Sequence, residues 1–309
     1  MSIIDLTNNY GNAFLHSFMD SGFQLHNGVL VSSRIDKSVY LVGSTISVLK
    51  QYLFNYKDVP KIVMMQKAIR TQSLKIMENK SESNSIYGSF FLAMGTLAPF
   101  SSLMETINIA IYYLASILSE PKNAIMLRVS SKDDDLFSAC KNVLGSADNV
   151  IIETDSKPDK YYQHHYGMDE IGINGRNFNI AVSNDGSLWL DVGNIIVIQK
   201  NKVPFAVEFA MGMSTLIANL FGMPHTMLGN TVSDILSMKD KYDFWLGDCL
   251  SVVNCLKQEG IVPNSSKMQG RILKRYQKVL FELCDERGLD ANELLLQLRE
   301  YNNGLLLPI

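Results

Sequence analysis

The sequence predicts an α+β fold: an antiparallel sheet flanked by helices, followed by an all-helical C-terminal part. Three observations predict it. "KIVMMQKAIR" and "IYGSFFLAM" are strand-like runs on either side of the polar stretch "NKSESNS", which makes an antiparallel hairpin with a long tip. "FNIAVSNDGSLWLDVGNIIVIQ" is two apolar runs joined at Asn184-Asp185-Gly186, and an Asp-Gly pair between such runs is a strong hairpin signal. From Glu208 to about Asn302 the apolar spacing is helical. The chain therefore divides near residue 222, into a sheet-bearing part over 1–222 and a helical part over 223–309.

Taken in order, residues 10–21 place Phe14, Leu15, Phe18 and Met19 at helical spacing, with Gly22 as a stop. "GVLVSS" and "VYLVG" read as short strands. "STISVLKQYLF" reads as a helix capped by Ser44. After the first hairpin, Pro99 precedes a helix over Ser101 to Leu118. "AIMLRV" and "NVIIE" are buried-type strands flanking a short helix that begins near Asp133. Asp290, with Glu293 three residues on, caps the last helix.

The bulk numbers exclude several functions. The 309 residues are 47% hydrophobic and 19% charged, enough for one large or two ordinary cores. A net charge of -3 gives no global attraction to nucleic acid, so any basic site must be local. Cys140, Cys249, Cys255 and Cys284 form no C-x-x-C pair, and His164 and His165 are adjacent, which disfavours a metal site. The run Phe209–His225 has no Asp, Glu, Lys or Arg, but Ser214, Thr215, Asn219 and Pro224 rule out a membrane span. Asp5, Asn8 and Asn9 interrupt any signal-peptide pattern. The expectation is a cytoplasmic protein with no membrane partner.

Four places can carry chemistry. Arg70 ends a strand beside a polar tip, with Lys75 following; such an arginine holds a carboxylate or phosphate, or simply faces solvent. Gly172 and Gly175 allow close backbone approach to a ligand, or make turns. Asp191 and Asn194 sit among apolar neighbours and need partners, either structural or a substrate amine. Lys267, Arg271 and Arg275 lie at i, i+4, i+8, with Lys274 and Lys278 alongside; this is a phosphate-tracking stripe or a solvated face.

Read in order, these pieces resemble the alanyl-tRNA synthetase family of class II aminoacyl-tRNA synthetases. "QKAIR" resembles the family's Gln-Lys-Cys-Ile-Arg, and "SFFLAMGTLAPF" its Thr-Phe-Phe-Glu-Met-Leu-Gly-Asn-Trp-Ser-Phe. "YGMDEIGINGRNFNI" is similar to Trp-x-Met-Gly-Asp-Thr-Gly-Pro-Cys-Gly-Pro, and "DVGNIIVIQ" to Glu-Ile-Trp-Asn-Leu-Val-Phe-Ile-Gln. "VEFAMGMSTLIANL" stands where the family has motif 3, Val-Asp-Thr-Gly-Met-Gly-Leu-Glu-Arg-Leu, and by that resemblance is expected to be an amino-acid-pocket strand leading into a buried helix. "QEGIVPNSSKMQGRILKR" resembles part of its helical tRNA-binding region. The order is collinear over most of the chain.

The resemblance implies a class II synthetase-like catalytic domain over 1–222 and a tRNA-recognition-like helical domain over 223–309. It implies Arg70 and Lys75 as catalytic residues, and Phe90, Phe91 and Arg70 around a nucleotide. A small amino acid such as alanine would meet Glu208, Asn194, Asp191, Gly172, Gly175, Tyr166 and Met168. Lys267, Arg271, Lys274 and Arg275 would meet RNA. Motif 3 has lost its charges: Ser214 stands at the family glutamate and Thr215 at the arginine that grips ATP, while Leu92 replaces the glutamate after Phe-Phe. Lys75, Lys200 or Arg176 would then have to substitute for that cation.

Two functions follow from the resemblance. One is a standalone ligase using ATP with Mg, or a ready-made aminoacyl donor, and passing the aminoacyl group to tRNA, a carrier protein or a small molecule. The other is a silenced paralogue that binds RNA or protein. Oligomeric state, homodimer included, is left open.

Overall fold

A computed structural model describes residues 1–81, 85–118, 124–144, 150–183 and 186–309. Helix α1 spans Ile3–Met19, with Ser2 and Asp5 forming a capping box. It is followed by β1 (Gln24–Leu25) and α2 (Thr45–Phe54). Next come β2 (Ile62–Ile69), the short α3 (Leu74–Glu78), β3 (Phe90–Pro99) and α4 (Leu103–Ile117). A second group comprises β4 (Ala124–Val129), α5 (Asp134–Leu144), β5 (Val150–Thr154) and β6 (Gln163–Met168). Then come β7 (Ile173–Ser183), β8 (Leu190–Lys200), β9 (Val203–Gly212) and α6 (Met213–Leu220). The chain closes on α7 (Lys241–Gln258), α8 (Met268–Arg287) and α9 (Ala291–Tyr301).

The strands form one sheet in the order β1-β2-β3-β9-β8-β7-β4-β5, with β6 also paired to β7. β1 runs parallel to β2, and β4 to β5; the other pairs are antiparallel. "KIVMMQKAIR" and "IYGSFFLAM" therefore neighbour each other antiparallel, through Ile69↔Phe90, Ala68↔Phe91 and Lys67↔Leu92. The tips of both sequence-predicted hairpins include residues outside those described. No helix among the described residues is long and apolar enough to cross a membrane.

Pleating sends alternate residues to opposite faces, and the two faces differ. On the back, Met94, Phe209, Met211, Ile195 and Phe178 join Phe14 and Phe18 of α1 and Ile107 and Tyr113 of α4 in a core. Phe18 stacks on Phe209 at 6.0 Å between ring centroids. On the front, α2 buries Val48, Leu49 and Leu53 against Met64, Leu97, Ile196 and Ile198. Higher up, the front-face residues are Ala93, Gly95, Ala210 and Gly212. Small side chains leave that part of the sheet low, and a cleft forms over it.

The C-terminal helices share their core with the sheet part: Val31, Leu41, Ile69, Leu74 and Met77 pack among Trp245, Leu250, Leu273 and Leu280. Buried Asp248 on α7 accepts from Ser89 N at 2.7 Å and Phe90 N at 3.1 Å. Tyr276 on α8 donates to Ser89 Oγ at 2.8 Å. The helices thus grip the start of β3.

Four sequence expectations need correction. "GVLVSS" and "VYLVG" form no strands; Val31, Leu41 and Val42 are buried, but Val31 N and Ser32 N donate to the Glu259 carboxylate at 2.6 and 2.7 Å instead of to a ladder. Ser44 precedes α2 without capping it through its side chain. Against the helical apolar spacing from Glu208, residues 208–212 are strand leading into buried α6, as the motif 3 resemblance implied; β9, buried on both faces in its middle, showed no period-2 signal. Between α6 and α7 the chain makes two 3-10 turns rather than a helix, nucleated by His225 and Asn230 side chains accepting from Met227 N and Val232 N.

Candidate functional site

The cleft has a volume of about 350 Å³ and opens on the front of β3, β9 and β8. Arg70, the residue after β2, enters it on the front side. Its backbone N–H donates to Ser89 O at 2.9 Å, and its Nε donates to Gly43 O at 2.9 Å. The guanidinium lies 5.1 Å above the Phe91 ring, a cation–π placement. Surrounding protein desolvates it and lowers its pKa, against the pull of Glu208, but an arginine remains charged.

Glu208 stands in β9 opposite Leu97 and Ile196 and is only 2% exposed. Burial pushes its carboxyl up to about 7, while the Tyr166 hydroxyl and the Arg70 charge pull the other way. Tyr166 donates to Glu208 Oε2 at 2.7 Å. No direct ion pair joins Glu208 to Arg70. An acid and a cation therefore face one small space without closing on each other.

β6 builds the far wall. Its alternation puts His164, Tyr166 and Met168 on one side, and His164 packs against Tyr166 at 4.7 Å between ring centroids. Burial lowers the His164 pKa to about 4, helped by the charges of Arg70 and His165, so the imidazole is neutral near pH 7. Gly175 lets β6 lie close: a Cβ there would sit 2.6 Å from Ile196 Cγ2 and 3.2 Å from His164 Cβ. Asn194 lines the cleft and pairs in register with Asn179. Asp191 lies beside a bulge in the β7–β8 pairing and is held by Arg128 Nη1 at 2.5 Å, by the Tyr161 hydroxyl and by Asn179 Nδ2 at 3.3 Å.

The sequence-predicted residues separate clearly. Arg70, Phe90, Phe91, Glu208, Asn194 and Asp191 line the cleft together, and Tyr166 reaches it through Glu208. Met168 instead lies in the core under α2. Gly172 makes a left-handed turn (φ 74°) against Asn201, outside the cleft lining. Lys75 is exposed on α3 and does not line the cleft, because α3 turns Leu74 and Met77 inward and Lys75 outward. Lys267, Arg271, Lys274 and Arg275 are exposed on or next to α8, with Arg275 clamped on Glu78 (Nε to Oε1 2.7 Å). Sequence reasoning missed Asn179, Tyr87, Ser44 and Thr45 as lining residues and left His164 unassigned; Asn177 and Asn179, alternating in a buried strand, were the available signal.

The groups present do not fit magnesium and a nucleoside triphosphate. Arg70 is the one cationic side chain among the described residues lining the cleft. Thr215 lies near Phe91, where a Cβ added to Gly212 would meet its Oγ1 at 3.3 Å and the Phe91 ring at 3.6 Å. Neither supplies charge. Arg176 is committed to Asp135, with Nη2 to Oδ2 at 2.6 Å, and Lys200 lies over the Tyr56 ring at 4.1 Å. No group of three His, Cys, Asp or Glu side chains among the described residues could hold a metal ion.

No protein-family model matches this chain, and no curated protein does. Solved structures do. The chain is similar to asparaginyl-tRNA synthetase from Pyrococcus horikoshii complexed with asparaginyl-adenylate, at TM-score 0.44 and 9% identity over 74% of this chain and 68% of that one. It is similar to aspartyl tRNA synthetase from Entamoeba histolytica, at TM-score 0.45 and 10% identity over 74% and 57%. It is also similar to the ATP phosphoribosyl transferase (HisG:HisZ) complex from Thermotoga maritima, at TM-score 0.41 and 10% identity over 66% and 96%. The chain thus spans between 57% and 68% of these two synthetases.

Proposed function

We propose that this chain is a class II synthetase-like paralogue whose cleft binds a small α-amino acid. The carrying observation is that Glu208 and Arg70 face the same cleft, influence each other's ionisation, and are not paired with each other. A zwitterion has the complementary polarity. Its ammonium would meet Glu208 and its carboxylate would meet Arg70, where a planar guanidinium already fixed by Gly43 and Phe91 accepts a carboxylate bidentately. The ammonium would also stabilise the ionised Glu208 that burial disfavours. Asn194 would add a hydrogen bond, having no side-chain partner among the described residues. Alanine is the first ligand to test, following the sequence resemblance.

Two finer readings share this cleft. In the ligase reading, the bound amino acid is an aminoacyl group moving to tRNA, a carrier protein or a small molecule. Because the residues present do not fit a triphosphate, that group would arrive on a ready-made donor. In the silenced-paralogue reading, the chain catalyses no transfer and serves to bind RNA or a protein partner, the cleft at most holding its amino acid; the lone cleft cation favours this reading.

Calorimetric titration with alanine, with ATP, and with a non-hydrolysable alanyl adenylate mimic tests the proposal. Alanine or the mimic binding to the wild type, and not to Arg70→Ala or Glu208→Gln, is the expected result. No heat from any of the three would defeat the amino-acid reading.

A further inference from the structure

Strand β2 carries a second cation to the other side of the sheet. Lys67 and Arg70 are three residues apart, so pleating sends them to opposite faces. Arg70 enters the cleft; Lys67, opposite Leu92, lines a second cavity of about 210 Å³ behind β3, which has Phe90 and Ser214 in common with the cleft lining. That cavity lies between the sheet, α7 and the last residues of the chain. The cavity runs from exposed Gln258 and Asn303 at its mouth to buried Ser251 and Asn254. Ser251, Asn254, Cys255 and Gln258 repeat at i, i+3, i+4 and i+7, so α7 turns a polar stripe toward it while Leu246, Leu250 and Leu256 fill its other faces.

The electrostatics select a ligand class. Lys67 is half-buried and is the one charged side chain lining the cavity, which the last residue, Ile309, also lines; Lys67 has no ion-pair partner among the described residues. Burial pushes the neighbouring Cys255 thiol up to about 12, so it offers no anion near pH 7. Several polar neighbours are already satisfied: Thr231 Oγ1 donates to Asn302 Oδ1 at 2.8 Å, and Asn230 Oδ1 accepts from Val232 N at 3.2 Å. Asn254 is different. It is 6% exposed, and its amide has no hydrogen-bond partner among the described residues. A buried amide and a half-buried ammonium without an ion-pair partner face one polar space, and an acceptor bearing negative charge suits both.

We propose that this cavity is a binding site for a small oxyanion, a compound carrying a phosphate or carboxylate group, held by Lys67 and Asn254. Neither residue lines the cleft, and the proposal does not depend on the amino-acid reading.

The test uses thermal unfolding and calorimetry with sodium phosphate and with sodium succinate, each compared with sodium chloride at equal ionic strength. The expected result is a saturable rise in Tm with at least one of the two, the responding one identifying the phosphate or the carboxylate source. Lys67→Gln should weaken that response about tenfold or more, the scale of one charge-assisted hydrogen bond. Asn254→Asp, which supplies Lys67 with its own carboxylate, should also abolish it. Arg70→Ala should retain it while losing amino-acid binding, so failure of one site is told from failure of the other. A response to neither anion beyond chloride, or an undiminished response in Asn254→Asp, would overturn the proposal.

Discussion

Glu208→Gln should stabilise the folded protein, and only above acidic pH. The buried carboxyl titrates at about 7, against 4.5 for an unperturbed glutamate. Between those values the folded protein holds a proton that the unfolded chain has released. Stability contributed at this site therefore falls as pH rises through that window. At about 1.4 kcal/mol per tenfold in proton affinity, the loss amounts to about 3 kcal/mol once Glu208 is ionised in both states. A glutamine has the same shape, keeps an oxygen for the Tyr166 hydroxyl and never ionises. Urea denaturation of both proteins from pH 4 to pH 8.5 should give equal stabilities at the acid end, with the variant ahead by about 3 kcal/mol at the alkaline end. Taking the difference cancels groups common to both, including buried Asp248. Saturating alanine should close the gap by stabilising wild type alone. Parallel profiles would refute the argument, since they would mean that the Glu208 carboxyl is already compensated or not buried.

Thr215→Arg should leave alanine binding nearly unchanged and strengthen ATP binding, read by calorimetry; unchanged ATP affinity would show that the nucleotide site is lost beyond one residue. Asp248→Ala leaves Ser89 N and Phe90 N without their acceptor, and should destabilise by about 2–5 kcal/mol in chemical denaturation; a loss under 1 kcal/mol would mean water replaces it. Lys267→Glu with Arg271→Glu should weaken any tRNA binding and flatten its salt dependence. Arg275→Glu should change it less, because Arg275 is engaged with Glu78. Unchanged affinity across a salt series would assign the stripe to solvent.

The fold was legible where one face is buried and the other is not, or where turn residues punctuate apolar runs. β2, β3, β7 and β8 met those conditions. β9 is buried on both faces in its middle, as β2 and β3 are, but it runs into α6 without turn residues between them, and apolar spacing alone then reads "AMGMSTLIAN" as helix. β6 was hidden in "YYQHHYGM", whose polar residues face solvent on one side and Glu208's neighbourhood on the other. The resemblance gathered Arg70, Phe91, Asn194 and Glu208 into one site, which spacing alone could not do, since they come from four separated strands or strand ends. Lys75, Gly172 and Met168 do not line that cleft, because a motif gives order along the chain and not the direction of a side chain.

The charges that remain are informative because the facing pair balances. Within the cleft, Arg70 and ionised Glu208 sum to zero; beside them Arg128 is shared between Asp191 and Glu153, which leaves one negative charge on that partly exposed side. A zwitterionic amino acid enters such a site without leaving any buried charge uncompensated. A triphosphate would bring several negative charges to a space whose single cation already faces a carboxylate. On the proposed reading, Ser214, Thr215 and Leu92, which stand where the resemblance implies charged residues, would offer no charge to a nucleotide, while Arg70 and Glu208 would suit an amino acid. Selection for a silent scaffold gives no reason to keep Glu208 buried at a cost of about 3 kcal/mol above neutral pH. On the proposed reading a ligand ammonium would give one, because it would return that cost when the cleft is filled.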